Sequence, residues 1–218
     1  MKHPLGLWEG TTENEAACRA LLGNLIDRGL DTSRAVLFVI DGGKEIRSAI
    51  KEVYGEGALV QRCRKHKERN VSEHLPKAER TFVARKLRAA WSRTDAGEAE
   101  RELRQLARHL DAKHPGAAGS ILEGLEETLT VTRLGLTPSL LRTFKSTNPI
   151  ESMISIARDT HRNVKRWRDG RMALRWIAAG MLEAERQFRR VNGYRDLHIL
   201  KRALERHREV VEGVTQVA

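Results

Sequence analysis

With 218 residues the chain can hold one sizeable hydrophobic core, or one core with a smaller helical unit beside it. Five prolines and 5% aromatic residues argue against an all-β or low-complexity chain, and two cysteines provide no disulfide framework. Forty Lys and Arg against 29 Asp and Glu leave a net charge of +11, which points to a polyanionic partner, nucleic acid first, if the charges are clustered rather than spread for solubility.

The opening Met1-Lys2-His3-Pro4 leads into no apolar run of the signal-peptide type, and the longest apolar stretch, 172–184, is broken by Arg175 and too short to span a bilayer. A cytoplasmic protein in a reducing compartment, with no membrane partner, is expected.

In "HPLGLWEG", Leu5, Leu7 and Trp8 predict the end of a strand whose partner would lie upstream. Thr12 and Glu15 have capping-box spacing, and Cys18, Leu21, Leu22, Leu25 and Ile26 recur at helical intervals until Gly29, which makes Cys18 a core residue. The apolar run 35–40 predicts a strand buried on both faces and closed by Asp41-Gly42-Gly43. A helix over 44–54 follows, with Ile46, Ala49, Ile50 and Val53 inward, and then a short strand at 58–61. This alternation predicts a layered α/β core with crossover connections.

From Pro76 the texture changes. The patterns Val83/Leu87/Ala90/Trp91, Ala99/Leu103/Leu106/Ala107/Leu110 and Ala118/Ile121/Leu122/Leu125 predict helices separated at Gly97 and at His114-Pro115-Gly116. In "STNPIES", 146–152, Asn148 suits an N-cap, Pro149 the first helical position and Glu151 the third, with Ile150, Met153, Ile154 and Ala157 on one face. A nearly all-apolar helix over 172–188 is expected in the interior, and an amphipathic helix over 195–211 closes the chain. The expected units are 1–75, 76–143 and 144–218, without internal repeats.

Three places can carry chemistry. Asp41 ends a buried strand at the carboxyl edge of a sheet, where α/β folds bind ligands, although an Asp there can also cap the following helix. "QRCRKHKERN" places Cys63-x-x-His66 among Arg62, Arg64, Lys65, Lys67 and Arg69. Zinc is disfavoured because no second C-x-x-C or H-x-x-H pair exists, a lone Cys or His is more often a packed residue, and the five cations suit a phosphate-facing rim. Glu151 either caps its helix or holds a metal. On its face follow Ser155, Arg158 and Arg162, and seven Lys or Arg lie between 158 and 175, among them Lys165 and Arg166, against Asp159 and Asp169. The excess of one sign suits a phosphate backbone, with a solvated charged face as the alternative. Trp167 is a base-stacking candidate or an interface residue.

The segments "VLFVIDGGKEIRSAIKEVYG", "QRCRKHKERNV", a helical spacer and "STNPIES", in that order, resemble the catalytic half of the Mutator-type bacterial insertion-sequence transposases, and the resemblance extends back to "LGLWEGTTEN". It implies an α/β fold: a partial ribonuclease H-like core, 1–75, an all-helical insertion, 76–143, and a helical C-terminal region, 144–218. The implied activity is Mg²⁺- or Mn²⁺-dependent DNA strand cleavage and transfer by an Asp-Asp-Glu mechanism. Asp41 matches the second Asp, Glu151 the Glu, and Cys63 with His66 the family's C-x-x-H signature. The implied partners are element-end and target DNA and further copies of the intact protein, with no small-molecule substrate. Arg62, Arg64, Lys65, Lys67, Arg158, Arg162, Lys165 and Arg166 are the expected DNA-facing side chains.

In the intact family site two metal ions activate the attacking oxygen and stabilise the departing one. The family's first Asp would lie upstream of "LGLWEG", and none of Glu9, Glu13, Glu15, Asp27 and Asp31 sits in a buried-strand pattern. A truncated transposase with a weak or empty metal site, an exposed sheet edge, poor solubility and no activity of its own is therefore expected, unless the start is misassigned. The competing expectation is a non-catalytic basic protein that binds DNA or assembles transposase oligomers.

Overall fold

The apolar run before Asp41 forms a strand, β1 (Val36–Ile40), and a second strand, β2 (Ala58–Arg62), lies parallel to it with Val36 opposite Ala58 and Ile40 opposite Arg62. A computed structural model describes residues 2–10 and 14–217, except for the side chains of 56 and 214–217. Among the described residues these two strands are the whole sheet, so the chain is a mostly helical α/β structure.

Helix α1 (Glu15–Asp27) precedes the sheet, and α2 (Lys44–Tyr54) makes the crossover between its strands. Leu22 of α1 joins Ile40, Ala49 and Ile50 in one core, with Phe38 packed against it. Leu37 points the other way, onto Val131, Leu136 and Leu140. Both faces of β1 are thus covered, yet only Ile40 is buried, because among the described residues β1 has a paired strand along one edge alone.

The expected cap of α1 at Thr12 lies outside the described residues, and the observed cap is Asn14, whose Oδ1 accepts the Ala17 N–H at 2.8 Å. No strand forms at 5–8. Residues 2–10 are irregular, and Leu7 instead packs against Met153, Met181 and Ala184.

Beyond β2 come α3 (Arg64–Glu73), α4 (Lys77–Trp91), α5 (Ala96–Asp111) and α6 (Pro115–Leu122). Their apolar stripes close into a large core that includes Val71, Leu87, Leu103, Ala107 and Ile121. A 3₁₀ turn (Glu126–Leu129), α7 (Thr130–Arg133) and α8 (Pro138–Phe144) lead back to the sheet, where the Thr130 hydroxyl donates to the Val60 carbonyl.

Then α9 (Asn148–Thr160) and α10 (Gly170–Gln187) pack as a pair, and α11 (Leu197–Val217) follows. The α9–α10 contact is close: a Cβ on Gly180 would fall 2.6 Å from the Ala157 Cα. It is also narrow. Met153, Ala157, Gly180, Met181 and Ala184 are buried, whereas Ile150, Ile154 and Leu182 remain exposed. The expected interior position of α10 is therefore not realised; it lies against one neighbouring helix and turns most of its surface outward. No helix among the described residues is long and apolar enough to cross a membrane.

Candidate functional site

Parallel pairing puts the carboxyl ends of β1 and β2 side by side, and the Cys63 N–H donates to the Ile40 carbonyl at 2.7 Å. Asp41 and Cys63 therefore leave the sheet from neighbouring strand ends. Asp41 is exposed, and its Oδ1 accepts the Gly43 N–H at 3.1 Å, which shapes the turn into α2. Gly42 within that turn has φ +116°, and any Cβ there would lie 2.4 Å from Arg62 Nε, so only glycine fits.

Cys63 is fully buried and stands immediately before α3, so His66 falls on the first turn of that helix, half-buried. Thr147 brings α9 to the same place. Its N–H donates to Cys63 Sγ at 3.4 Å, and its hydroxyl donates to Glu151 Oε1 at 2.7 Å. The hydroxyl oxygen also lies 3.4 Å from Cys63 Sγ and 3.4 Å from His66 Nδ1. A further strut ties the Arg64 N–H to the Lys145 carbonyl at 3.0 Å.

The cap of α9 lies one residue earlier than the sequence suggests, at Thr147, with Pro149 second in the helix and Glu151 fourth. The Glu151 N–H bonds the Thr147 carbonyl in the ordinary helical manner, while its carboxylate meets the Thr147 hydroxyl instead of a free backbone N–H. That carboxylate is not engaged in capping. Thr147 escaped sequence reading because Asn148 beside it is an equally good cap.

One sulfur, one nitrogen and one carboxylate oxygen, from Cys63, His66 and Glu151, lie within 4.8 Å of one another. Asp41 stands outside that trio. Asp41 and Glu151 both present exposed carboxylates, the hard oxygen donors that Mg²⁺ takes.

The expected phosphate-facing rim divides. Lys65 and Arg69 are exposed, but Arg62, Arg64 and Lys67 are buried and turned inward. Arg62 Nη1 bonds the Glu123 carbonyl at 3.2 Å and Nη2 its carboxylate at 3.1 Å. Lys67 Nζ donates to the carbonyls of Ser120 and Glu123. Arg64 reaches three acceptors on the helical insertion. The physical reason is that the carbonyls of Trp91, Ser120, Glu123 and Thr128, the Glu123 carboxylate and the Thr132 hydroxyl, too distant in sequence to be anticipated, supply acceptors that water or phosphate would otherwise provide. Arg158, Arg162, Lys165 and Arg166 are all exposed, as is Trp167, which meets the His161 ring edge-on.

Burial, with the Arg62 charge adding to it, pushes the Lys67 ammonium down to about 8, against the pull of Glu123. The unfolded chain then holds more protons than the folded one between about pH 8 and the ordinary lysine value, so this residue's contribution to stability rises with pH through that window and is lost as pH falls through about 8. Denaturant titrations at about pH 7 and about pH 10 should show the native chain gaining stability relative to Lys67→Met as pH rises. Parallel profiles would contradict this.

The family described as "Transposase, Mutator family" matches residues 1–191. The chain is 30% identical over 157 residues to a transposase for insertion sequence element IST2 of Acidithiobacillus ferrooxidans, covering 72% of this chain and 51% of that protein. It is 29% identical over 189 residues to a transposase for insertion sequence element ISRM5 of Rhizobium meliloti (strain 1021), covering 87% of this chain and 46% of that protein. The chain thus spans about half the length of these curated relatives. With the motif segments in order and a match over most of its length, the chain belongs to the Mutator family of transposases.

Proposed function

We propose that this chain carries the part of an insertion-element transposase that holds two of its three catalytic carboxylates, Asp41 and Glu151, at the carboxyl edge of β1 and β2. The observation that carries the reading is the return of α9: after a helical excursion of more than 70 residues, Thr147 docks on Cys63 and sets Glu151 beside the strand ends from which Asp41 also emerges. A strand, crossover helix, parallel strand, helical insertion and returning helix, in that order, support a partial ribonuclease H-like core.

In this reading Asp41 and Glu151 would hold Mg²⁺ or Mn²⁺, and the bound ion would supply activation of an attacking water or 3′-hydroxyl and stabilisation of a departing oxygen. Thr147 orients Glu151 through its hydroxyl. Lys65, Arg158, Arg162, Lys165 and Arg166 line the DNA backbone. Arg62, Arg64 and Lys67 instead fasten the helical insertion to β2 and α3 and touch no phosphate. The partners are element-end DNA, target DNA and further copies of the protein, in the cytoplasm where DNA lies.

Replacing Arg158, Arg162, Lys165 and Arg166 together with alanine should weaken binding to nonspecific duplex DNA and reduce the slope of log K against log salt by about three to four, close to one unit per lost phosphate contact. An unchanged slope would remove DNA from this face.

A further inference from the structure

We propose that Cys63, His66 and Glu151 form a site for a soft divalent cation of the Zn²⁺ class, with a donor set different from the Asp41 and Glu151 pair assigned to Mg²⁺. The donor set decides the class: thiolate, imidazole and carboxylate are the ligands that Zn²⁺ and Co²⁺ take, whereas Mg²⁺ leaves sulfur alone. In the sequence a lone C-x-x-H pair is two ligands short. The fold supplies the third from another helix, 85 positions beyond His66 (151 minus 66).

The geometry is close to what such an ion needs. Ligand atoms around a tetrahedral Zn²⁺ sit roughly 3.3–3.8 Å apart, given bonds of about 2.0–2.3 Å. Here His66 Nδ1 and Glu151 Oε1 are 3.7 Å apart, and all three ligand atoms lie within 4.8 Å, so side-chain adjustment of about 1 Å would complete the contact. The backbone under them is already fixed: Cys63 and His66 start α3, Glu151 lies on the first turn of α9, and the two are joined through Thr147 and by the Arg64–Lys145 bond.

Two surrounding features fit a metal ligand set. The Thr147 N–H donates to the Cys63 sulfur, as the outer partners of thiolate ligands do, and the Thr147 hydroxyl, which lies against all three ligand side chains, turns aside as an ion enters. Access is one-sided. Cys63 is sealed inside, whereas the side chains of His66 and Glu151 keep 23% and 43% of their exposure, so an ion enters from solvent and retains a position for water.

On binding, the Cys63 thiol gives its proton to solvent and the sulfur bonds the ion as thiolate, with no change of oxidation state. Because Glu151 is also the carboxylate assigned to Mg²⁺, an ion at this site competes for it. That consequence rests on the transposase reading; the site itself does not.

The test titrates the reduced, metal-free chain with Co²⁺ alone, without DNA or Mg²⁺. One equivalent should bring up an intense thiolate-to-cobalt charge-transfer band, Zn²⁺ should displace it, and about one proton should be released. Cys63→Ser should abolish the band and Cys18→Ser should retain it. Glu151→Gln, at an exposed position where folding is not at stake, should weaken cobalt binding at least about tenfold, with circular dichroism verifying the fold of each variant. Absence of a thiolate band in the folded native chain, survival of the band in Cys63→Ser, or indifference to Glu151→Gln would each overturn the proposal. Because no DNA or Mg²⁺ is present, these outcomes leave the transposase reading untouched, and its failure leaves them untouched.

Discussion

Replacing Arg64 with alanine is expected to lower the unfolding free energy by about 3–5 kcal/mol, the combined effect of lost charge-assisted hydrogen bonds, orphaned acceptors and a cavity. Arg64 is buried, and its Nε donates to the Thr128 carbonyl at 2.9 Å, Nη1 to the Trp91 carbonyl at 2.9 Å and Nη2 to the Thr132 hydroxyl at 2.7 Å. Those acceptors sit at the end of α4, in the 3₁₀ turn and on α7, so one guanidinium at the start of α3 ties the first helix of the insertion to the segment that leads back to the sheet.

Burial pushes the guanidinium down to about 10, which still leaves it charged at neutral pH. Arg64→Lys should recover little, since a single ammonium cannot reach three acceptors set around a planar fork. Chemical denaturation measures both variants. A loss below about 1 kcal/mol for Arg64→Ala would mean that its three hydrogen bonds do not hold the insertion in place.

How much of this was legible in the sequence depends on how far apart the deciding groups lie. Helices α2 and α5 follow from spacing alone, because Ile46, Ala49 and Ile50, or Ala99, Leu103 and Leu106, fall on one face without help from elsewhere. The cap of α9 lies one residue before the expected one because "STN" offers two good caps in succession, and only the contact of Thr147 with Cys63 separates them.

The basic segment from the end of β2 into α3 is hard to read locally for the same reason. Arg62, Arg64 and Lys67 look like surface cations until Glu123, Ser120, Trp91 and Thr128 arrive to accept their donors. The apolar residues of 5–8 likewise lack a neighbouring strand among the described residues, and Leu7 was taken up by α9 and α10. Asp41, Glu151 and the C-x-x-H pair stand out from their local sequence as places for chemistry, and the resemblance adds the roles expected of them. That Glu151 meets Cys63 and His66 was beyond any local pattern.

The most direct test of the account is a Mn²⁺ titration of the chain, followed by electron paramagnetic resonance of the free ion, for the native protein, Asp41→Asn, Glu151→Gln and the double variant. Both side chains are exposed and neither supports a core, so the variants should fold. If the strand-end Asp and the α9 Glu share an ion, each single substitution removes one of its hard oxygen ligands and should lower affinity by about tenfold or more, with the double variant little worse than the weaker single one. Native affinity in either single variant would contradict a shared metal between Asp41 and Glu151.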